Sequence, residues 1–250
     1  MKTAEVKTPL PLFFLGPDLK DGPLPAVFYF ALSAKESLCT DPYNQPAAYL
    51  SNLPIRIFSV DLPFHGEQFL AVDAMIQWAQ NFLEQDSFLE LFLQKLEDTI
   101  LQMLSLKIID PKQFGVLGLS RGGFIAGHIA SRIQEISTCV VYAPLTRFAA
   151  IKEFSSLLPP SLLDCLDLTL CKKNLCQKKI KAYISNRDTR VNTDFCFAWI
   201  RELAEEAFLQ KIRSPQIELV IKPPIGFMGH GTSLETFIEG ADWLKKQLSL

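Results

Sequence analysis

The stretch Gly115-Val116-Leu117-Gly118-Leu119-Ser120-Arg121-Gly122-Gly123 decides the fold of this 250-residue chain. It joins an apolar run, residues 114–119, to a segment whose apolar positions recur at helical spacing, and the junction reads Gly-x-Ser-x-Gly. A serine on so sharp a strand-to-helix turn has a strained backbone, and the flanking glycines lack the Cβ atoms that would collide there. The pattern predicts a nucleophile elbow that presents the Ser120 hydroxyl at the tip of a sheet.

Apolar runs alternate with helical patterns on both sides of this elbow. The runs predict strands at 26–31, 55–60, 114–119, 139–143, 180–184 and 217–221. The helical patterns cover 45–52, 82–106, 121–135, 194–211 and 233–248. Continuous apolar strands that alternate with helices predict an α/β fold with a mostly parallel central sheet and helices on both faces.

Two segments depart from this alternation. Residues 1–25 contain five prolines, which predicts edge-strand and turn structure. Residues 145–179 mix helical spacings with a Pro-Pro break, and they predict a small helical insertion that forms a lid. We expect a single domain over residues 1–250, because a chain of this length can bury one large core.

Composition excludes several function classes. A net charge of -2 and a pI near 6.0 provide no basic surface for nucleic acid. No apolar stretch reaches membrane-spanning length, and the six cysteines have no disulfide spacing, so we expect a cytoplasmic protein. Cys165, Cys171 and Cys176 have no histidine nearby, which argues against a zinc site.

A serine nucleophile needs a base, and the chain has three histidines. His128 falls on the helix after the elbow, where a packed or surface role is simplest. His65 lies in the loop after the second predicted strand and precedes the nucleophile in sequence. His230 is flanked by two glycines in the loop after the last predicted strand. Its position makes His230 the favoured base.

The base in turn needs a carboxylate that holds it in the right tautomer. Asp188 comes directly beyond the predicted strand 180–184, and Asp194 falls at the start of the next helix. Either one could be a helix cap. We favour Asp188, because the site of an open parallel sheet lies at the carboxyl ends of its strands.

The order Ser120, Asp188, His230 on alternating strands and helices resembles the α/β-hydrolase superfamily over nearly the whole chain. Residues 118–123 and 186–191 are similar to the elbow and acid loop of its esterase and its dienelactone-hydrolase-like or prolyl-oligopeptidase-like branches. The resemblance implies the α/β-hydrolase fold and a Ser-His-Asp catalytic triad.

The same resemblance implies an oxyanion hole built from two backbone amides. One amide follows the nucleophile and belongs to Arg121. The other follows the third strand of the family, where the usual His-Gly is missing and Leu32 or Ser33 are the candidates. Asp61 with His65 resembles the loop after the fourth family strand, which is usually structural.

These residues predict a hydrolase of carboxylic esters or thioesters that forms an acyl-enzyme on Ser120 and uses no metal or organic cofactor. The substrate is then a small molecule, and a small lid predicts a preference for short acyl chains. Acyl transfer and peptide cleavage use the same triad and stay open. A non-catalytic binding protein on the same fold is the alternative from a different class.

Overall fold

A computed structural model of the chain describes residues 1–84, 87–164, 167–226 and 228–250. Eight strands of these residues form one sheet. They are β1 Lys2–Thr3, β2 Phe13–Leu15, β3 Leu24–Phe30, β4 Arg56–Ser59, β5 Ile109–Leu119, β6 Thr138–Tyr142, β7 Lys179–Ser185 and β8 Ile217–Lys222. Their order across the sheet is β1-β2-β4-β3-β5-β6-β7-β8.

The sheet is parallel except at one edge. β2 pairs antiparallel with both β1 and β4, whereas every pair from β4 to β8 is parallel. Phe30 pairs with Gly118, and Leu119 pairs with Tyr142. This register places the carboxyl ends of the central strands, and the loops that follow them, along one edge of the sheet.

Helices cover both faces. They are α1 Ala34–Cys39, α2 Gln45–Leu50, α3 Ala74–Glu84, α4 Phe88–Ser105, α5 Arg121–Arg132, α6 Lys152–Ser155, α7 Pro160–Leu163, α8 Lys172–Leu175, α9 Thr193–Leu209 and α10 Leu234–Gln247. Buried residues of α1, α2 and α10 form one core with the sheet. Those of α3, α4, α5 and α9 form a second core on the opposite face.

Alternation along the central strands supplies both cores. Val27 and Tyr29 of β3 belong to the core beneath α2 and α10, and Phe28 and Phe30 belong to the core beneath α3 to α5. All four are fully buried. A strand buried on both faces must be apolar at consecutive positions, and this explains the continuous run 26–31 that predicted it.

The predicted α/β architecture is confirmed, and the strand predictions agree to within a few residues for β3, β4 and β6 to β8. The helical pattern over 82–106 contains all of α4 and the end of α3, but α3 begins earlier, at Ala74, and is a separate helix. Residues 85 and 86, inside that prediction, lie outside the described residues. The buried Trp78 and Phe82 of α3 pack on Phe88 of α4, so tertiary contacts determine how the pattern is divided.

The insertion is helical, as predicted, and it holds α6, α7, α8 and two 3-10 turns. The Phe148 and Phe154 rings stack at 4.5 Å and both pack against Phe82. The insertion therefore contributes to the core beneath α3, α4, α5 and α9. Its role as a lid, like the single domain over 1–250, stays a prediction, and Cys165 lies outside the described residues.

Candidate active site

Ser120 occupies the turn between β5 and α5 in a left-handed backbone conformation, with φ 55° and ψ -117°. A side chain at Gly118 would collide with the Gly122 carbonyl, and one at Gly122 would collide with the Phe30 carbonyl. The Ser120 amide donates to the Tyr142 carbonyl at 2.9 Å, which ties the turn to β6. Close packing between β5, β3 and α5 thus explains the two glycines and the strain at the serine.

Three predicted side chains meet at this turn. The Ser120 Oγ lies 2.9 Å from His230 Nε2, and His230 Nδ1 lies 2.7 Å from Asp188 Oδ2. Because a carboxylate oxygen accepts, Nδ1 carries the imidazole proton and Nε2 is free to accept from the serine hydroxyl. The Asp188 side chain is fully buried, whereas 25% of the His230 side chain is exposed. The His230 ring is therefore partly exposed, and its carboxylate partner is fully buried.

Backbone amides orient the Asp188 carboxylate. Asp188 Oδ1 accepts from the amides of Arg190 at 2.9 Å and Val191 at 3.0 Å, which leaves Oδ2 for His230. Asp194 is exposed in the first turn of α9 and does not contact His230. The structure therefore brings Asp188, and not Asp194, to the histidine.

The acid loop and the histidine loop are also joined to each other. The Ser185 hydroxyl donates to the Gly229 carbonyl at 2.5 Å, and the Thr189 amide donates to the Met228 carbonyl at 2.9 Å. Gly229 has φ +69° and approaches the Arg187 carbonyl so closely that no Cβ would fit. These contacts between the two loops keep Asp188 and His230, which are 42 positions apart in the sequence, next to each other.

The two candidates for the second oxyanion donor differ in their contacts. The Ser33 amide donates to Glu36 Oε2 at 3.1 Å, and the Ser33 side chain caps α1 by accepting from the Glu36 amide. The Ser33 amide is thus engaged in a capping box and does not fit the role. Leu32 lines the cavity beside Ser120, and its amide makes only a long, 3.4 Å contact with Ser37 Oγ.

A cavity of about 540 Å³ opens onto Ser120 and His230. Its walls are largely apolar, and they come from the ends of β3 and β5, the loops at 42–43 and 71–72, the histidine loop and α10. None of the described residues of the insertion lines it. A volume of this size suits a small organic molecule.

Sequence reasoning missed one contact of this site, between Arg121 and His65. Arg121 Nη1 donates to His65 Nε2 at 3.1 Å and to the Ala71 carbonyl at 3.1 Å. His65 Nδ1 donates to the Pro63 carbonyl at 2.8 Å, so the buried ring is neutral. The elbow motif predicts a role only for the backbone amide of Arg121. No local sequence pattern relates the Arg121 side chain to His65, which is 56 positions away.

Burial and a nearby positive charge lower the pKa values of both His65 and Arg121. Burial, with the nearby Arg121 cation, lowers the pKa of His65 to about 4. Burial, with the positive charge of Arg190, lowers the pKa of the Arg121 guanidinium to about 10. At neutral pH, His65 is therefore an uncharged acceptor and Arg121 is still a cation.

The described residues contain neither a metal-binding cluster nor a membrane-spanning helix. Among them, no cluster of three or more His, Cys, Asp or Glu side chains is arranged to hold a metal ion. In the same part of the chain, every helix is too short or too polar to cross a membrane.

No protein-family model and no curated protein matches the chain by sequence. Solved structures do resemble it. An acylaminoacyl peptidase from Pyrococcus horikoshii is 13% identical, with a TM-score of 0.66 over 99% of this chain and 40% of that one. An esterase from Pyrococcus furiosus is 15% identical, with a TM-score of 0.66 over 99% of this chain and 90% of that one.

A protein from Klebsiella pneumoniae assigned as a dienelactone hydrolase is 14% identical, with a TM-score of 0.64 over 96% of this chain and 92% of that one. This chain spans about 40% of the length of the peptidase. At such low identity these likenesses show the fold alone. The chain has the α/β-hydrolase fold, as the sequence pattern predicted.

Proposed function

We propose that this protein is a serine hydrolase that cleaves a carboxylic ester or thioester through an acyl-enzyme on Ser120. The observation that supports this most is the unbroken hydrogen-bond chain from Asp188 through His230 to the strained Ser120 hydroxyl. Packing alone does not require these three side chains to meet, or two of them, Ser120 and His230, to line a cavity.

In the acylation step, His230 Nε2 takes the proton of the Ser120 hydroxyl while Oγ attacks the substrate carbonyl carbon. The buried Asp188 carboxylate stabilises the imidazolium that forms and keeps Nδ1 protonated. The imidazolium then gives its proton to the departing alcohol or thiol. An acyl group remains on Ser120.

Negative charge develops on the carbonyl oxygen during this attack. In the proposed mechanism the amide of Arg121, at the N-terminus of the twelve-residue helix α5, donates to that oxygen, and the helix dipole favours the charge. The amide of Leu32 is the proposed second donor, because the Ser33 amide is bound to Glu36.

Deacylation repeats the chemistry with water. His230 removes a proton from a water molecule, the hydroxide attacks the acyl carbon, and Ser120 regains its proton as the carboxylic acid leaves. The proposal needs no metal or organic cofactor. A small-molecule substrate in a cytoplasmic setting and a preference for short acyl chains stay predictions, and the 540 Å³ cavity is compatible with a small substrate.

Peptide cleavage is a second candidate, and the similarity to the acylaminoacyl peptidase is the observation that favours it. The same triad attacks an amide, and the imidazolium then protonates an amine leaving group. Rates on an ester and an amide with the same acyl group would separate these two activities. Acyl transfer would appear as a new ester when an alcohol competes with water.

Labelling with a fluorophosphonate, followed by peptide mapping, tests the proposal directly. We expect the label on Ser120 and none in Ser120→Ala, with matched melting temperatures showing that the variant is folded. A folded wild-type protein that hydrolyses no simple ester and leaves Ser120 unlabelled would instead indicate a binding protein.

A further inference from the structure

Arg121 differs from the other residues that line the catalytic cavity. Among the described lining residues, Arg121 alone is permanently charged, while its neighbours are apolar or neutral polar side chains such as Leu32, Tyr43 and Val72. A cation in an apolar pocket costs desolvation free energy unless another group compensates it. The lowered pKa of Arg121 is a consequence of that environment.

Other arginines of the chain have carboxylate partners. Arg132 pairs with Glu90 at 2.6 Å, and Arg190 pairs with Glu153 at 2.7 Å. Both Glu153 oxygens are bound by Arg190, so this nearby acid is already neutralised. No described residue forms an ion pair with Arg121.

The buried Arg56 shows how the fold satisfies an arginine that has no carboxylate. All three of its nitrogens donate to backbone carbonyls. The acceptors are the carbonyl oxygens of Pro17, Asp18, Gly22 and Ile108. In Arg121 only Nη1 is used, and Nε and Nη2 have no partner among the described residues. Neither of these two nitrogens is among the fully buried, unpaired side-chain atoms of the described residues, so each keeps some exposure.

The contacts of Nη1 also fix the position of the guanidinium. His65 and the carbonyl of Ala71, a residue that lines the same cavity as Ser120, hold one edge of the planar group. Since His65 is neutral, it orients the arginine without cancelling its charge. The free edge, Nε and Nη2, has the parallel N–H geometry that binds a carboxylate through two hydrogen bonds.

We propose that Arg121 is a specificity residue that binds a carboxylate of the substrate, so that the preferred substrates are esters or thioesters carrying a second, ionised carboxyl group. This inference rests on the proposed hydrolase function and narrows its substrate class. The bound carboxylate takes no part in bond breaking. It stabilises the complex by replacing the water that otherwise solvates the free edge of Arg121.

Matched esters with and without a carboxylate test this assignment. Monoethyl adipate and ethyl hexanoate have the same acyl chain length and differ in the terminal carboxylate. 4-Acetoxybenzoate and phenyl acetate carry the difference on the leaving group. We expect kcat/KM by pH-stat titration to favour the carboxylate member of at least one pair by about 10- to 100-fold, because a hydrogen-bonded charge is worth that factor.

Arg121→Gln should abolish this preference, and Arg121→Lys should retain part of it, because lysine keeps the charge without the two-pronged geometry. Arg201→Gln removes an exposed arginine of α9 and is the matched control. It should leave the ratio of the two esters as in the wild type. A purely structural role of Arg121 would lower both esters of a pair equally, and that result would overturn the proposal.

Calorimetry on Ser120→Ala separates this inference from the function itself. This variant should bind monoethyl adipate, and the added Arg121→Gln change should weaken that binding by about 10-fold or more. Ser120-dependent hydrolysis of both esters with no carboxylate preference would overturn the subsite and leave the hydrolase. Absence of all hydrolysis, with Arg121-dependent binding intact, would overturn the hydrolase and leave the subsite. Should Arg121→Gln not fold, Arg121→Lys in both assays decides the question.

Discussion

Two histidines contact neighbouring residues of the elbow, His230 at Ser120 and His65 at Arg121, and the charged groups beside them differ in sign. His230 faces the Asp188 carboxylate with Nδ1 and the Ser120 hydroxyl with Nε2. His65 faces a backbone carbonyl with Nδ1 and the Arg121 cation with Nε2. Both rings carry their proton on Nδ1, so the tautomer does not distinguish them.

What distinguishes the two rings is the charge of the group next to each one, a carboxylate at His230 and a guanidinium at His65. A proton gained by His230 would be stabilised by the carboxylate behind it, and a base needs that property. A proton gained by His65 would be buried next to a guanidinium, which is why its pKa is lowered to about 4. The same residue type is therefore a candidate base at position 230, next to Ser120, and a neutral hydrogen-bond acceptor for Arg121 at position 65.

The largest expected difference is between the kcat values of two variants in which one histidine or the other is replaced by glutamine. His230→Gln removes the base, and we expect kcat on a simple ester to fall by about 10⁵- to 10⁶-fold, as for loss of the histidine in other triads. His65→Gln keeps an acceptor for Arg121, so its kcat should fall far less. Initial rates at pH 8 measure both, and equal losses would show that the two rings do not have separate roles.

Asp188→Asn should have the next largest effect. Asparagine preserves the size of the side chain but can present an N–H to Nδ1, which favours the wrong tautomer of His230. In a serine protease with the same triad, this change costs about 10⁴-fold in kcat, and we expect a similar loss here. A thermal melt close to the wild type would separate the loss of activity from unfolding.

Protonation of His65 should change the free energy of unfolding more than it changes kcat. Its folded pKa, about 4, lies below the ordinary 6.5, so the unfolded chain takes up a proton first as the pH falls. The contribution of His65 to the free energy of unfolding is therefore highest above pH 6.5 and decreases by up to about 3 kcal/mol toward pH 4. Burial and the Arg121 cation lower this pKa, whereas the hydrogen bond to the Pro63 carbonyl and the negative charge of Glu36 oppose the shift.

Urea denaturation at pH 7, 5.5 and 4.5 measures this effect against His65→Gln as the control. The variant should lose less stability than the wild type over the same range, because glutamine does not titrate. Groups elsewhere titrate equally in both proteins and cancel in the difference. Parallel pH profiles would show that His65 is not held neutral by its surroundings.

The smallest effect belongs to Asp194, the acid that lies close in sequence but not in space. Asn192 caps α9 by accepting from the amides of Asp194 and Phe195 at 2.8 and 3.2 Å. Asp194→Asn should leave kcat unchanged and lower stability by a few tenths of a kcal/mol, from loss of one charge at the helix N-terminus. A collapse of kcat in this variant, with Asp188→Asn active, would exchange the two assignments.

Much of the fold and the three central side chains could be predicted from the sequence, because their signals are local. Strand and helix periods reflect which faces are buried, and Gly118 and Gly122 follow from the sterics of one sharp turn around Ser120. The choice of Asp188 over Asp194 needed only the end of the strand at 180–184. The start of α3 and the engaged amide of Ser33 were beyond such reasoning, because packing partners and cap contacts decide them.

The elbow, the alternation of strands and helices, and the positions of a serine, an aspartate and a histidine after the ends of strands all follow from the sequence alone. The tertiary structure was needed to show that Arg121 contacts His65, that this histidine is neutral, and that only Nη1 of the guanidinium has partners among the described residues. The reason is physical. Backbone sterics and periodicity act between neighbours in the chain, whereas burial and charge act through space between residues that the sheet brings together.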